Sequence, residues 1–343
     1  MRAAVLHAVN DLRIEDIPTP EPGVDEVLVR VRSSGICGSD VPRVFRSGTY
    51  RFPTVCGHEF AGTVERGGDL APGTPVTVFP LLWCGRCSAC ELGEYARCAD
   101  YGYLGSRSDG GFAEYVVAPR RNLLPLPDGV SLDEGAMTEP AAVALHALRR
   151  GRLGAGETVA VVGAGPIGLM VAQWARALGA AKVLILDVAA PSLALARTLG
   201  FEHCCDLRGE AAQAWIAART GGRGAEVTLD AAGVPAAVLA AVEATAAGGR
   251  VVLLGNPSAE VVLPPALISR IMRRELTLVG TWNSTFSACG LPDDWRTTLA
   301  AVAAGSIRLA PLISHRLPLE RTLEGLNLLR ERREFVAKVM ISP

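Results

Sequence analysis

From Glu157 to Trp282 the chain alternates apolar runs (TVAVVGAG, KVLILDV, EVTLDAAG, RVVLLGN, ELTLVGTW) with helix-forming stretches such as PIGLMVAQWARALGA, PSLALARTLG and AAVLAAVEATAAGG. A strand that is apolar on both faces must be covered on both faces, and strands joined by helices run parallel. The pattern therefore predicts an α/β fold with a doubly wound parallel sheet. The first turn reads VAVVGAGPIGL, with Gly163, Gly165 and Gly168 in G-x-G-x-x-G spacing between a strand and a helix. Gly163 permits the tight turn, Gly165 lets the backbone approach a pyrophosphate, and Gly168 lets the helix pack closely on the strand. Pro166 and Ile167 open that helix, whose N-terminus faces the anion. Asp187 closes the next strand, about twenty residues further on, where a carboxylate receives a ribose diol. Val188, Ala189 and Ala190 supply no arginine for a 2′-phosphate, so the cofactor expected is NAD rather than NADP.

The first 130 or so residues read differently. Short runs (EVLVRVRS, GTVERG, TPVTVFP, FAEYVVAP) punctuated by Gly and Pro predict a compact, antiparallel, barrel-like β-domain. LDEGAMTEPAAVALHALRRG then reads as a helix terminated at Gly151, and FVAKVMIS near the end reads as a strand able to rejoin the first domain. Residues 1–150 with 284–343 are expected to form one domain, and residues 151–283 the dinucleotide-binding one.

Cys84, Cys87, Cys90 and Cys98 occur as C-x2-C-x2-C-x7-C. Four thiolates on one loop can close a tetrahedral shell around zinc, leaving no position for water or substrate, so such a metal is structural. By ligand type alone an iron–sulfur cluster is the chemical rival. A second set is scattered: Cys37, Ser39 and Asp40 in GICGSD, His58 and Glu59 in GHEFAG, and Glu139 in TEPAAVALHAL. Taken singly, each of these residues has ordinary structural uses. Together, one Cys, one His and one or two Glu from separate loops can make the open three-ligand site that catalytic zinc uses.

The chain has 34 Lys+Arg against 35 Asp+Glu and a formal net charge of -1, which gives no global basic field to collect nucleic acid or anionic lipid. No apolar run reaches the ~18–20 uncharged residues a membrane span requires. Asn10, Asp11, Arg13 and Glu15 interrupt any apolar signal region, and nine cysteines suit a reduced, cytoplasmic protein with metal ligands and core thiols. The expected partner is a small-molecule substrate, with no nucleic acid and no membrane.

GICGSD, GHEFAG, the four-cysteine lobe, SDGGFAEY, Glu139–Pro140, GAGPIGL with Asp187, and AKVMI together resemble the zinc-dependent medium-chain alcohol and polyol dehydrogenases over essentially the whole chain. Within that family, GICGSDVPRVFRSG, FPLLWC, YLGSRSDGGFAEY and RRELTLVGTW sit closest to the galactitol-phosphate branch. The resemblance implies a GroES-like β-barrel catalytic domain beside a Rossmann domain, one catalytic and one structural zinc, and NAD. It implies Cys37, His58 and Glu139 as catalytic zinc ligands, with Glu59 able to approach the metal. It also implies Asp40 as the residue orienting the ligating histidine, Ser39 as the hydroxyl relaying the alcohol proton, and a homodimer or homotetramer, often through the edge that ELTLVG provides. The expected reaction passes hydride from a secondary alcohol of a polyol or polyol phosphate to NAD, giving a ketone; oxidation of an aminocyclitol, 2-deoxy-scyllo-inosamine, is the alternative.

Several residues have plainer readings. Cys56, Cys204, Cys205 and Cys289 are expected to be packing thiols and His146 a packed or hydrogen-bonded histidine, while Trp83, Trp282 and Trp295 suit either a pocket or the core. Arg43 and Arg46, just after GSD, suit either a substrate phosphate or a surface or cofactor contact. Two other classes compete: a zinc module binding a macromolecule, which the near-neutral charge opposes, and a silent scaffold, which the intact Cys37, His58 and Glu139 set opposes.

Overall fold

Strand Glu26–Gly35 is the spine of the first unit. Its sequence EVLVRVRSSG buries Val27, Leu28, Val29 and Val31 and exposes Arg30 and Arg32 in the computed structural model, which describes residues 1–343. It pairs antiparallel with three strands: Glu59–Arg66, Tyr115–Pro119 and, from the far end of the chain, Lys338–Ser342. The sheet extends through Pro75–Val78 to Leu123–Pro125 on one side and through Ile313–Pro318 on the other. The expected return of FVAKVMIS to the first domain is thus met by a strand one place from the spine. A second sheet orders Asp11–Asp16, Arg2–Ala8 and Thr54–Val55, so the unit is predominantly antiparallel. A buried apolar core that includes Val27, Val29, Phe60, Val76, Val78 and Val116 fills the space behind the spine.

The second unit holds a six-stranded, all-parallel sheet in the order Cys204–Asp206, Lys182–Asp187, Thr158–Val162, Ala225–Asp230, Thr245–Leu253, Thr277–Gly280. Numbered along the chain this is 3-2-1-4-5-6, whose direction of winding reverses beside Thr158–Val162, the place where such sheets bind dinucleotides. Val159, Ala160, Val161, Leu184, Ile185 and Leu186 are buried on both faces, as their unbroken apolar runs require. Proline stands in the first turn of helices Pro166–Ala177, Pro235–Ala244 and Pro265–Arg273, where its missing N–H costs no hydrogen bond.

The compact units comprise Met1–Pro140, Thr285–Gly305 and Leu309–Pro343 on one side, and Ala141–Ser284 with Ser306–Arg308 on the other. Residues 141–150, expected with the β-domain, therefore group with the parallel sheet. The physical reason is that helix Thr138–Arg150 is continuous across the division: its first turn carries Glu139, while its later turns are tied to the sheet by contacts such as the Trp174 indole N–H donating to the Ala141 carbonyl. A capping box at Ser131 and Glu134 starts the short helix Leu132–Ala136 just before it.

Segment Thr285–Gly305 is held to the first unit by aromatic packing. Phe286 stacks on Phe79 at 4.3 Å between centroids, and the fully buried Trp295 meets Phe79 edge-on at 5.4 Å. Trp83 stacks on Tyr95 at 4.2 Å, so Trp83 and Trp295 both belong to packed interiors, whereas Trp282 is 55% exposed. Trp295→Ala is expected to destabilise the chain by about 3–5 kcal/mol, read as a lower denaturant midpoint at unchanged slope; a loss under 1 kcal/mol would show that this packing contributes little.

Candidate functional site

The pairing of Gly35 with Glu59 sets the chemistry. The spine ends two residues before Cys37, and its neighbour begins one residue after His58, so the register carries both side chains to the same end of the sheet. The ligating atoms of Cys37, His58 and Glu59 lie within 4.8 Å of one another. Gly35 permits the approach, since a Cβ there would stand 2.3 Å from Glu59 Oε2.

Behind this cluster Asp40 is wholly buried at the start of a short helical turn, Asp40–Pro42. Its Oδ2 accepts the Cys37 backbone N–H at 3.0 Å, and its Oδ1 lies 3.4 Å from His58 Nδ1 and accepts from Arg43 at 3.1 Å. Burial would raise the Asp40 carboxyl, but the charges of His58 and Arg43 hold it below the usual carboxylate range. Burial would likewise lower His58, and the charges of Asp40 and Cys37 lift it well above its ordinary value. An imidazole whose Nδ1 faces a carboxylate offers Nε2 to a metal, the orienting arrangement common to metal-bound histidines. Arg43 also donates to Ser39 Oγ at 2.8 Å, so its charge is spent inside the site, and Arg46 is exposed. Cys56 is a buried thiol pushed up to about 12, chiefly by burial, which fits a packing role.

Two residues that the sequence reading did not single out complete the surroundings. Lys338 is 4% exposed; its Nζ donates to Glu59 Oε2 at 2.6 Å and to the Ile36 carbonyl at 3.3 Å. Burial would lower the Lys338 ammonium, and the charge of Glu59 raises it. Tyr103 donates to Glu139 Oε1 at 3.1 Å and presents its ring edge-on to His58 at 5.8 Å. Burial is the main reason the Tyr103 phenol lies well above its ordinary value, with the charge of Glu139 adding to it. Burial and the negative charge of Glu59 also push Glu139 up, against the pull of His58, to about 7. The structure thus gathers Cys37 and His58 with Glu59, while Glu139, expected in the ligand set, is held by Tyr103 outside that closest group. The only sequence signal for Lys338 was its place in AKVMI, and for Tyr103 its place just before LGSRSDGG. His146 lies in the other unit.

Cys84, Cys87, Cys90 and Cys98 form the second cluster. Thiolates ~2.3 Å from a tetrahedral zinc lie roughly 3.8 Å apart. The Sγ separations are 3.9 Å for Cys84–Cys90, 3.5 Å for Cys87–Cys90 and 4.0 Å for Cys87–Cys98, so the four sulfurs fit the ion. The Ala99 and Cys90 backbone N–H groups lower the Cys87 thiol to about 6, which prepares a thiolate for a metal.

In the parallel-sheet unit, Gly163 has φ 110°, which favours glycine, and a Cβ on Gly168 would lie 1.9 Å from the Gly163 carbonyl oxygen. Gly165 is the cap preceding helix Pro166–Ala177, and nothing would meet a Cβ placed there, so the turn is open towards a ligand. Asp187 has a structural task as well: its Oδ2 accepts from the Ala164 N–H and its Oδ1 from the Ala189 N–H at 2.7 Å. A carboxylate offers about four lone-pair sites, so acceptor capacity remains on both oxygens for a diol.

Residues 23–128 match the family described as alcohol dehydrogenase GroES-like domain, and residues 166–304 the family described as zinc-binding dehydrogenase. The chain is 35% identical to galactitol 1-phosphate 5-dehydrogenase of Escherichia coli strain K12, covering 100% of each sequence. To human sorbitol dehydrogenase it is 36% identical over 332 residues, covering 94% of this chain and 90% of that one. The crystal structure of galactitol-1-phosphate dehydrogenase from Escherichia coli matches with a TM-score of 0.93 at 35% identity, covering 100% of both chains. A putative zinc-binding dehydrogenase from Sinorhizobium meliloti 1021, crystallised with NADP, matches with a TM-score of 0.91 at 32% identity, covering 100% of this chain and 99% of that one.

Removing one partner of a buried ion pair leaves the other charge uncompensated, so Lys338→Met is expected to cost about 3–5 kcal/mol of stability. Adding Glu59→Gln should recover part of that loss; a double variant whose cost equals the sum of the single ones would contradict the coupling. Cys37→Ser should lower the zinc content of the purified protein from two ions per chain to one, read by elemental analysis, and two retained ions would remove Cys37 from the ligand set.

Proposed function

The chain belongs to the zinc-binding alcohol dehydrogenases with a GroES-like domain, and from that premise we propose that it oxidises a secondary alcohol of a polyol or polyol phosphate to a ketone, with NAD as hydride acceptor. The observation that carries the reading is the cluster of Cys37, His58 and Glu59, with Ser39 two residues from Cys37 and Glu139 close by. The donor set of thiolate, imidazole and carboxylate suits zinc, and the four-sulfur lobe suits a second, structural zinc. When bound, the catalytic zinc supplies Lewis acidity to the substrate hydroxyl, and NAD supplies the hydride chemistry.

The residues do the rest. Cys37, His58 and either Glu59 or Glu139 would hold the metal, and Asp40, whose Oδ1 lies 3.4 Å from His58 Nδ1, would orient the ring. Ser39, whose oxygen already accepts from Arg43, has its hydroxyl proton free to point outward and carries the alcohol proton towards solvent. Lys338 balances Glu59, and Tyr103 holds Glu139 in one orientation. Gly163, Gly165, Pro166, Ile167 and Gly168 cradle the pyrophosphate at the start of helix Pro166–Ala177, and Asp187 receives the ribose diol and repels a 2′-phosphate.

The outer edge of strand Thr277–Gly280 ends its sheet, and Leu278 is 39% exposed there, which supports pairing with a second copy into a homodimer or a homotetramer built from it. Four thiol ligands call for a reducing compartment, the cytoplasm. No helix is long and apolar enough to cross a membrane.

The zinc-loaded protein is expected to form NADH from members of a panel of paired phosphorylated and unphosphorylated polyols that also contains 2-deoxy-scyllo-inosamine. Turnover of the aminocyclitol alone would replace the polyol reading. Asp187→Ser should raise the NADP/NAD ratio of kcat/KM by about tenfold or more, since it removes the repelling charge; an unchanged ratio would take cofactor discrimination away from Asp187.

A further inference from the structure

Strand Lys182–Asp187 has one outer neighbour, Cys204–Asp206, with which the sheet ends. The two run parallel, with Ile185 opposite Cys204, Leu186 opposite Cys205 and Asp187 opposite Asp206. Just beyond them the Leu207 N–H donates to the Asp187 carbonyl at 2.9 Å. Paired residues of adjacent strands stand about 4.8 Å apart and turn their side chains to the same face. Asp187 and Asp206 therefore end neighbouring strands side by side, on the carboxyl edge of the sheet where the glycine turn lies.

Arg208 folds back onto the outer of these two carboxylates. Asp206 Oδ1 accepts from the Arg208 backbone N–H at 3.0 Å and from Nε at 2.9 Å, and Oδ2 accepts from Nε at 3.2 Å and from a terminal nitrogen of the same guanidinium. The Gly209 N–H donates to the Asp206 carbonyl at 3.2 Å and closes the turn. The bonds from Arg208 hold the Asp206 carboxyl down at about 2, so it is charged near neutrality. The pair is open to water, with the arginine side chain 61% exposed, and surface ion pairs contribute little to stability. Its effect falls on the arginine instead: one edge of the guanidinium fork is occupied, and its charge is compensated.

The 2′-oxygen of the adenosine ribose belongs to the diol assigned to Asp187, so a phosphate on that oxygen would stand beside Asp187, one strand from Asp206. Val188, Ala189 and Ala190 offer it no cation on the loop after its own strand, and the next loop is the turn that bears Arg208. A free arginine there would bind a phosphate bidentately, whereas an arginine already paired with a carboxylate presents no net charge to it.

We propose that Asp206, by holding Arg208 in a bidentate pair beside the dinucleotide's ribose, is a second residue that determines specificity for NAD over NADP, and that it acts through the arginine it holds. The inference rests on the dinucleotide reading of the glycine turn and goes beyond it: Asp187 repels a 2′-phosphate, and Asp206 withholds the cation that would attract one.

The test measures Kd for NADH and for NADPH, by nicotinamide fluorescence, on the zinc-loaded, full-length wild type, Asp206→Asn, and Asp206→Asn with Arg208→Met. Asp206→Asn is expected to lower the ratio of the NADPH Kd to the NADH Kd by about tenfold, the effect of one charge-assisted contact to phosphate. Adding Arg208→Met should return the ratio to the wild-type value, which a mere disturbance of the turn would not do. An unchanged ratio in Asp206→Asn overturns the proposal. A fall that persists in the double variant assigns the effect to the charge of Asp206 itself and overturns the part given to Arg208. Wild type that binds NADH while the ratio ignores Asp206 leaves the dinucleotide reading standing without this addition; wild type that binds neither cofactor removes that reading and the proposal together.

Discussion

A lysine and a glutamate, each almost wholly removed from water, meet at 2.6 Å across 279 residues of chain. Desolvating two charges costs several kcal/mol per ion, which their attraction repays only where geometry and further hydrogen bonds are good. Here the geometry comes from sheet register. Gly35 pairs with Glu59 on one side and with Met340 on the other, so the strand bearing Lys338 and the strand beginning at Glu59 flank the same strand end. Lys338 also donates to the Ile36 carbonyl, which gives the ammonium a second acceptor. The cluster of Cys37, His58 and Glu59 is a product of this three-strand arrangement. Any change in its register by one residue would turn the side chains to opposite faces.

Much of this was legible in the sequence, and for physical reasons. The parallel sheet announces itself because strands covered on both faces must be apolar throughout, and the glycine turn because only glycine tolerates φ 110° at Gly163 and the close approach at Gly168. The four-cysteine lobe is legible because its cysteines share one loop, so spacing alone brings them close together. The scattered cluster was readable as a set of residue types, yet which carboxylate stands nearest Cys37 and His58 depends on pairing between strands that spacing does not encode. Tyr103 and Lys338 were missed for the same reason: a tyrosine and a lysine carry no local mark of burial beside a glutamate. Asp187 is singled out in the sequence by its place after the glycine turn, but its bonds to Ala164 and Ala189, which tie that turn to the strand end, are visible only in three dimensions.

Two arginines show how commitment distinguishes similar residues. In the sequence, Arg43 follows GSD and invites a role in anion binding, whereas Arg107 sits unremarked among Ser and Gly. In the fold, Arg43 is paired with a fully buried Asp40, while Arg107 lies beside the rings of Tyr50 and Tyr101 with its Nε unpartnered. Availability of donors, set by packing, separates the two where residue type and position near a motif do not.

The long separation between Glu59 and Lys338 has a consequence for how the protein is made. At roughly 5–20 residues per second, something like a quarter of a minute to a minute passes between synthesis of the glutamate and synthesis of its lysine. For that interval the emerging β-domain has its spine and the Glu59 strand but not the strand that supplies the compensating charge. Glu59 therefore cannot be buried in its final, paired form early in translation. The last steps of folding of this unit wait on the chain's far end, and the nascent domain must keep that carboxylate in water until then.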